Sequence, residues 1–140
     1  LTELTHLNLI ENNIDDASSL ANLQIQLLSL GKNPITDISF IITMPELRNL
    51  NISDCEVADI SPLSADIDWS TLDLRGNPVS DISPLLENPN LTGGVRLNLV
   101  DCPLDDISRE VVVPQLEERG VRVILESTMP DIPENVLPEP

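Results

Sequence analysis

Apolar residues recur along this chain in a short alternating pattern, in which one polar residue separates two apolar ones. The first apolar residue of each copy is Leu7, Leu28, Leu50, Leu72, Leu97 and, in a degenerate last copy, Val121, so the pattern returns every 21 to 25 residues. Alternation of this kind places successive side chains on opposite faces of a strand. The sequence therefore predicts one short strand per repeat, and the regular period indicates that these strands stack side by side in a solenoid.

A second regular position lies three residues after the second apolar residue of each strand. It is occupied by Asn12, Asn33, Cys55, Asn77 and Cys102. The chain turns a corner here and leaves backbone groups without strand partners, which a buried asparagine amide can satisfy with two donors and an acceptor. Cysteine fits the same place as a small buried residue. We predict that both cysteines are buried and free, because two repeats separate them by about 10 Å at strand spacing.

The second half of each repeat predicts a short helical turn. A serine follows two residues after an aspartate in every copy, and the aspartates are Asp16, Asp37, Asp59, Asp81 and Asp106. Pro62 and Pro84 come directly after that serine, which is typical of a helix N-cap followed by the first helical residue. We favour turn capping as the role of the aspartates and assign no metal site. A calcium site built from one carboxylate per repeat stays open as the alternative.

Both ends of the chain depart from the repeat pattern. Ser108 opens a longer segment and Pro114 restarts a helix over residues 114–119. Gly120 is placed to end it, and residues 121–125 form a final strand that closes the core. Residues 126–140 carry four prolines and four acidic residues, which predicts an acidic linker. At the other end the chain opens inside a repeat, as a fragment would, so we expect exposed leucines and self-association there. The leucines concerned are Leu4, Leu7, Leu9 and Leu20.

Composition excludes several classes of function. The chain has 24 acidic and 7 basic residues, and its net charge of −17 argues against binding nucleic acid or an anionic membrane. No apolar run in the sequence is long enough to cross a bilayer. His6 is the single histidine, and no phosphate-binding loop or nucleophile motif is present, so we expect no enzyme and no cofactor.

Together the regular positions resemble the leucine-rich repeat in the form LxLxxN/CxI, and the extension DISPL resembles the bacterial internalin-like subfamily. The resemblance covers roughly Leu4 to Leu125, within a repeat domain assigned to residues 1–125. It implies an α/β leucine-rich-repeat solenoid with a parallel sheet on the concave face, short 3-10 or helical turns on the convex face and a longer C-terminal capping helix. Two features depart from the family: the insertion at Gly93 and Gly94, and the missing capping domains.

The resemblance also implies a function and a location. It implies a non-catalytic protein-binding module, part of a larger bacterial protein at the cell surface or outside the cell, whose partner the sequence does not name. A passive spacer in a multidomain exported protein is the alternative, and an intracellular regulatory repeat protein is a third.

Side chains beside the buried leucines point out of the concave face, where they are short, varied and mostly polar. Such a surface on a regular scaffold is typical of a protein-binding site, although it lacks the aromatic anchors common in hot spots. The predicted binding residues are His6, Asn8, Ser29, Asn49, Asn51, Thr71, Asp73, Arg75, Arg96, Asn98 and Arg122.

Three of the seven basic residues, Arg75, Arg96 and Arg122, lie on this face in consecutive repeats. Guanidinium groups suit the geometry of carboxylates and phosphates, so an acidic group of a partner would bind there. We favour the alternative that these arginines pair with the neighbouring Asp54, Asp73 and Asp101. The predicted register places Arg122 in the row of Asn98 rather than in the row of Arg96.

Overall fold

The computed structural model describes residues 4–126 of the 140-residue chain. Six strands of three residues each form one parallel sheet, and they are hydrogen-bonded in chain order. The strands are β1 (His6–Asn8), β2 (Leu27–Ser29), β3 (Asn49–Asn51), β4 (Thr71–Asp73), β5 (Arg96–Asn98) and β6 (Arg122–Ile124). Each crossover passes through a helical turn on the other side of the core. The observed architecture is therefore the predicted α/β solenoid.

The register of the first five strands is the one that the spacing predicts. Leu7, Leu28, Leu50, Leu72 and Leu97 stand opposite one another across the sheet. The predicted register of the last strand is wrong, because Val123 and not Val121 stands opposite Leu97. The C-terminal helical segment is longer than the earlier turns, so the chain re-enters the sheet two residues later than the alternation suggests. Val121 is buried just before the strand, as Val95 is in the preceding repeat.

The core is a stack of aliphatic side chains between the sheet and the helical turns. Inward leucines of the four middle strands are at most 1 % exposed. They face Ile41, Leu63 and Leu85 from the turns, which are fully buried. Each buried leucine of this kind contributes roughly 1.5 to 3 kcal/mol relative to an exposed one, so the core holds the sheet in its register.

Four 3-10 turns cover the convex side: Ser18–Leu20, Ser39–Thr43, Ser61–Ser64 and Ser83–Glu87. The aspartates cap these turns as predicted, because in each the carboxylate accepts a hydrogen bond from the backbone N–H of the first serine at 2.8 to 2.9 Å. The predicted serine N-cap is wrong. Serine is the first residue inside each turn and its hydroxyl makes no capping bond. Its own backbone N–H is the donor that the aspartate two residues earlier binds.

The last repeat follows a different course. Asp105, and not the predicted Asp106, accepts the Ser108 N–H at 2.8 Å. A π-helical turn at Ser108–Val112 leads directly into helix α1 (Val113–Glu118), so the longer segment predicted from Ser108 is helical and continues through Pro114 without the predicted restart. Gly120 ends it in a left-handed conformation with φ of 95°, as expected of a glycine at this place.

The asparagine and cysteine column forms a continuous hydrogen-bonded ladder. The Asn33 side chain accepts the N–H groups of Asn12 and Ile14 at 2.9 Å and donates to three backbone carbonyls, one of them in the preceding repeat. Cys55 donates its thiol proton to the Leu30 carbonyl, which Asn33 also binds. Asn77 and Cys102 repeat this arrangement at the Leu74 carbonyl, two repeats further along the chain. Asn12, at the first position of the column, is exposed.

Both cysteines are free and buried, as predicted. Burial raises the pKa of each thiol, more than the nearby backbone N–H groups lower it. A thiol of this kind stays protonated at neutral pH, so it acts as a hydrogen-bond donor in the ladder rather than as a reactive thiolate.

One backbone position in each repeat requires a left-handed conformation, directly before the asparagine or cysteine. Its φ values lie between 55° and 74° at Glu11, Lys32, Asp54, Gly76 and Asp101. Glycine adopts this conformation without strain, whereas the other residue types adopt it at a cost. At Gly76 a side chain would also collide with the Asp54 carboxylate.

The two ends of the chain differ from the middle. In the first repeat Leu4, Leu7, Leu9 and Leu20 are partly buried and pack against the core, whereas the sequence predicted exposed leucines there. The predicted self-association stays a prediction. Of the predicted linker over residues 126–140, only Glu126 lies within the described residues.

Candidate functional site

The outer face of the sheet is the candidate site, and its side chains stand in two rows that run across the strands. The first row takes the first residue of each strand: His6, Leu27, Asn49, Thr71, Arg96 and Arg122. The second row takes the third residue: Asn8, Ser29, Asn51, Asp73, Asn98 and Ile124. The residue between them points into the core, because side chains alternate along a strand. We call these two rows together the concave face.

Side chains of the second row hold the ends of their own strands. Asn8, Asn51, Asp73 and Asn98 each accept, through one side-chain oxygen, the backbone N–H two residues further on at 2.9 to 3.1 Å. This local turn satisfies a donor where the strand leaves the sheet. The same bond fixes the side chain, and the amide N–H groups of the three asparagines donate no hydrogen bond to residues 4–126. Most predicted binding residues of this row therefore have a structural role as well.

A shallow depression of about 370 Å³ lies at the centre of the concave face. It brings together seven of the eleven predicted binding residues: Ser29, Asn49, Asn51, Thr71, Asp73, Arg96 and Asn98. The Thr71 hydroxyl donates to the Asn49 side-chain oxygen at 2.6 Å and ties the first row together. His6 and Asn8 on β1, Arg122 on β6 and Arg75 beyond β4 lie outside the depression. The lining also includes four leucines, Leu27, Leu28, Leu50 and Leu72, which add apolar contact area between the polar side chains.

The three arginines that the sequence places together on the concave face have different surroundings in the structure. Arg75 follows the end of β4 and its guanidinium lies 3.9 Å from the Asp101 carboxylate, with both side chains well exposed. This is the one ion pair among residues 4–126. It confirms the favoured pairing for Arg75, and the same pairing predicted for Arg96 and Arg122 is wrong. An exposed pair at this distance contributes well under ~1 kcal/mol.

The corrected register moves Arg122 into the first row. It stands directly opposite Arg96 on the neighbouring strand. The sequence did not predict that Arg96 and Arg122 are neighbours, because the last repeat has valines in place of the alternating leucines that fix the register of the other strands. The same shift brings Ile124 into the second row, in the place where the sequence had put Arg122. Two positions beyond the second row, Gly31 and Val100 are buried whereas Ile10 and Arg75 are exposed.

The aspartates on the convex side form no metal-binding cluster in the part of the chain that the structure describes. Asp15, Asp16 and Asp37 line a second depression of about 310 Å³. The pKa of Asp16 and of Asp37 is lowered mainly by hydrogen bonds from the serine that each of them caps. Their oxygens are thus engaged in turn capping. Within residues 4–126 no helix has the length and apolar character needed to span a membrane.

Comparisons with known proteins agree with this architecture. The family described as Leucine Rich repeats (2 copies) matches residues 23–65. A search by sequence among curated proteins gave no significant match. Among solved structures, internalin C2 from Listeria monocytogenes is similar, with 32 % identity and a TM-score of 0.74 over 89 % of this chain. An internalin F from the same organism is 35 % identical with a TM-score of 0.68 over 77 % of this chain.

The matched region is only part of those proteins. The chain spans 53 % of the internalin C2 structure and 32 % of the internalin F structure. What is shared is therefore the repeat architecture, from the strand ladder to the turns between strands. Leucine-rich-repeat domains generally serve as scaffolds for protein–protein interaction rather than for catalysis. From its repeats, its fold and these likenesses, the chain is an internalin-like leucine-rich-repeat protein.

Proposed function

We propose that this chain is a protein-binding module that recognises its partner with the concave face. The observation that carries the proposal is the central depression, in which polar side chains from four neighbouring strands surround a space of about 370 Å³. Their oxygens are partly used by backbone turns, which holds the side chains in place before a partner arrives. A preorganised polar surface loses little conformational entropy on binding.

The composition of the face supports a protein partner. Asparagine, serine and threonine supply both donors and acceptors, and these can pair with the backbone of a bound segment. Leu27 and the aliphatic parts of the arginines supply apolar area. We further propose, from the likeness to internalins, that the module belongs to a larger bacterial protein at the cell surface or outside the cell. A passive spacer is the competing function, and it needs no such surface.

The test compares matched substitutions on the two sides of the solenoid. Thr71→Lys places a long side chain in the central depression, and Thr36→Lys makes the same change at an exposed loop position away from the sheet. Peptides selected from a random display library on the wild-type protein are then measured against both variants by fluorescence anisotropy. We expect the selected peptides to lose binding to Thr71→Lys and to keep binding to Thr36→Lys. A library that yields no binder, or binders that ignore Thr71→Lys, would favour the spacer.

A further inference from the structure

We propose that Arg96 and Arg122 together bind the carboxylates of an extended acidic segment of the partner protein. This inference rests on the proposed function. It adds that the partner is acidic and that its charged groups bind at the C-terminal end of the concave face. It uses the corrected register of β6, since the two arginines belong to different rows in the register that the sequence predicts.

The geometry places two guanidinium groups side by side. Arg96 and Arg122 are register partners on adjacent parallel strands, so their backbones lie roughly 4.8 Å apart and their side chains leave the same face. Both residues are exposed. Each guanidinium presents donors in a planar fork that matches the two oxygens of a carboxylate. Adjacent forks can therefore hold two neighbouring carboxylates, or share one.

No carboxylate of the described residues neutralises this pair. Within residues 4–126 the one ion pair at 4.0 Å or less is the contact of Arg75 with Asp101. The first row of the concave face contains no acidic residue, although the chain has 24 of them. Like charges that stand directly opposite across two strands destabilise the sheet. An arriving anion would relieve that repulsion, which adds to its affinity for the site.

The rest of the molecule orients an acidic partner toward this place. The two outward positions on each of the six strands contain one acidic residue, Asp73, and one of its oxygens already accepts the Arg75 N–H. The whole chain nevertheless carries a net charge of −17. An acidic segment is repelled by most of the surface and attracted at the C-terminal end of the concave face, and such complementarity favours one orientation of binding.

The depression gives the length of the bound segment. It reaches from Arg96 on β5 to Leu27 and Ser29 on β2, and Arg122 lies one strand further out on β6. The distance from β6 to β2 is four strand spacings, or about 19 Å. An extended chain covers that distance in about six residues. Its acidic side chains would lie on the arginine pair, and its backbone carbonyls would accept from the amides of Asn98 and Asn51.

The experiment uses a defined probe. A fluorescein-labelled peptide with two glutamates followed by serine and glycine residues is titrated with the full 140-residue chain, and a second peptide carries glutamine in place of glutamate. We expect the glutamate peptide to bind the wild type and to bind Arg96→Gln/Arg122→Gln at least about tenfold more weakly. Its affinity should also fall as salt is added, because the contacts are exposed.

The matched control removes the same charge elsewhere. Lys32 and Arg109 are exposed and lie off the concave rows, so Lys32→Gln/Arg109→Gln should bind the glutamate peptide within about twofold of the wild type after screening by salt. Trp69 fluorescence reports whether each variant is folded. If the double arginine variant is unfolded, the single variants Arg96→Gln and Arg122→Gln are measured instead.

Two results would overturn the inference: equal binding of the glutamate and glutamine peptides, or an equal loss in both double variants. The proposed function can survive that failure. If library-selected peptides lose binding to Thr71→Lys but not to the double arginine variant, the concave face is still the binding site and the partner is not acidic. Peptides that depend on neither would remove both.

Discussion

Replacing Asn77 with alanine should lower the free energy of unfolding by about 3 to 4 kcal/mol. The Asn77 side chain is 1 % exposed and makes four hydrogen bonds with the backbone. Its oxygen accepts the Val57 N–H at 3.0 Å, and its amide donates to the carbonyls of Ile52, Leu74 and Arg75 at 2.8, 2.9 and 3.2 Å. Two of these partners lie in the preceding repeat, so the side chain joins neighbouring repeats.

The magnitude follows from what the substitution leaves unpaired. A buried hydrogen bond contributes about 1 kcal/mol, and a buried group left without a partner costs about 1 to 3 kcal/mol. The Val57 N–H loses its partner entirely, whereas the Leu74 carbonyl keeps the Cys102 thiol. The bond from the Asn77 amide to the Arg75 carbonyl is the longest of the four and contributes least. A chain of this size loses roughly 3 °C of melting temperature per kcal/mol, so the midpoint should fall by roughly 10 °C.

Urea unfolding followed by the fluorescence of Trp69 measures this effect directly. Trp69 is the single tryptophan and is 3 % exposed, so its emission shifts when the core opens. Asn77→Cys is the matched control, because the chain itself places cysteine at this position in two other repeats. We expect it to recover about half of the lost free energy, since a thiol donates one weak hydrogen bond.

Two outcomes would refute this reasoning. If Asn77→Ala costs less than about 1 kcal/mol, water replaces the amide and the column is not a buried ladder. If Asn77→Cys is as destabilising as Asn77→Ala, the cysteines of the column contribute no hydrogen bond and only fill space.

Three further predictions concern the turns and the thiols. Gly76→Ala should destabilise the chain by about 1 to 2 kcal/mol in the same urea assay, because the left-handed backbone and the Asp54 carboxylate both oppose a side chain; an unchanged midpoint would contradict this. Hydrogen bonds from the capped serines hold the pKa of the capping aspartates below its ordinary value of 3.8, so their contribution to stability is complete above that pH and is lost as the pH falls through the lower folded values. Asp16, Asp37, Asp59 and Asp81 are therefore replaced together by asparagine, and this variant should lose less stability on acidification than the wild type in titrations followed by circular dichroism. Parallel titration curves for the two proteins would refute the capping role of the aspartates. A thiol reagent should label the cysteines only as fast as the chain unfolds, and rapid labelling of the native chain, followed by mass spectrometry, would show that Cys55 and Cys102 are accessible.

The sequence predicts most of the fold because the same pattern of apolar and polar positions recurs in every repeat. Five copies of the alternating leucines fix five strands, and a one-residue slip would expose every inward leucine. The Asn33 and Asn77 amides and the capping aspartates follow from the same regularity. The prediction fails where the pattern ends: Val121 and Val123 satisfy the alternation in either register, and only the length of the preceding helical segment decides between them.

The candidate site is less predictable than the fold. The sequence identifies which residues lie on the concave face, because alternation alone settles that. It does not show that Asn51 and Asn98 use an oxygen to hold their own strand ends, or that Arg75 pairs with Asp101 while Arg96 stands beside Arg122. These contacts depend on distances between repeats, and a single sequence does not contain them.

The central claim is that a partner binds on the concave face, and amide chemical-shift mapping by NMR tests it most directly. The uniformly labelled chain is titrated with one library-selected peptide, and the amide signals of residues 4–126 are followed. The account predicts that the largest shifts fall on strands β2 to β5 and on the residues that follow them. Shifts concentrated on the convex 3-10 turns, with the strand signals unchanged, would contradict it.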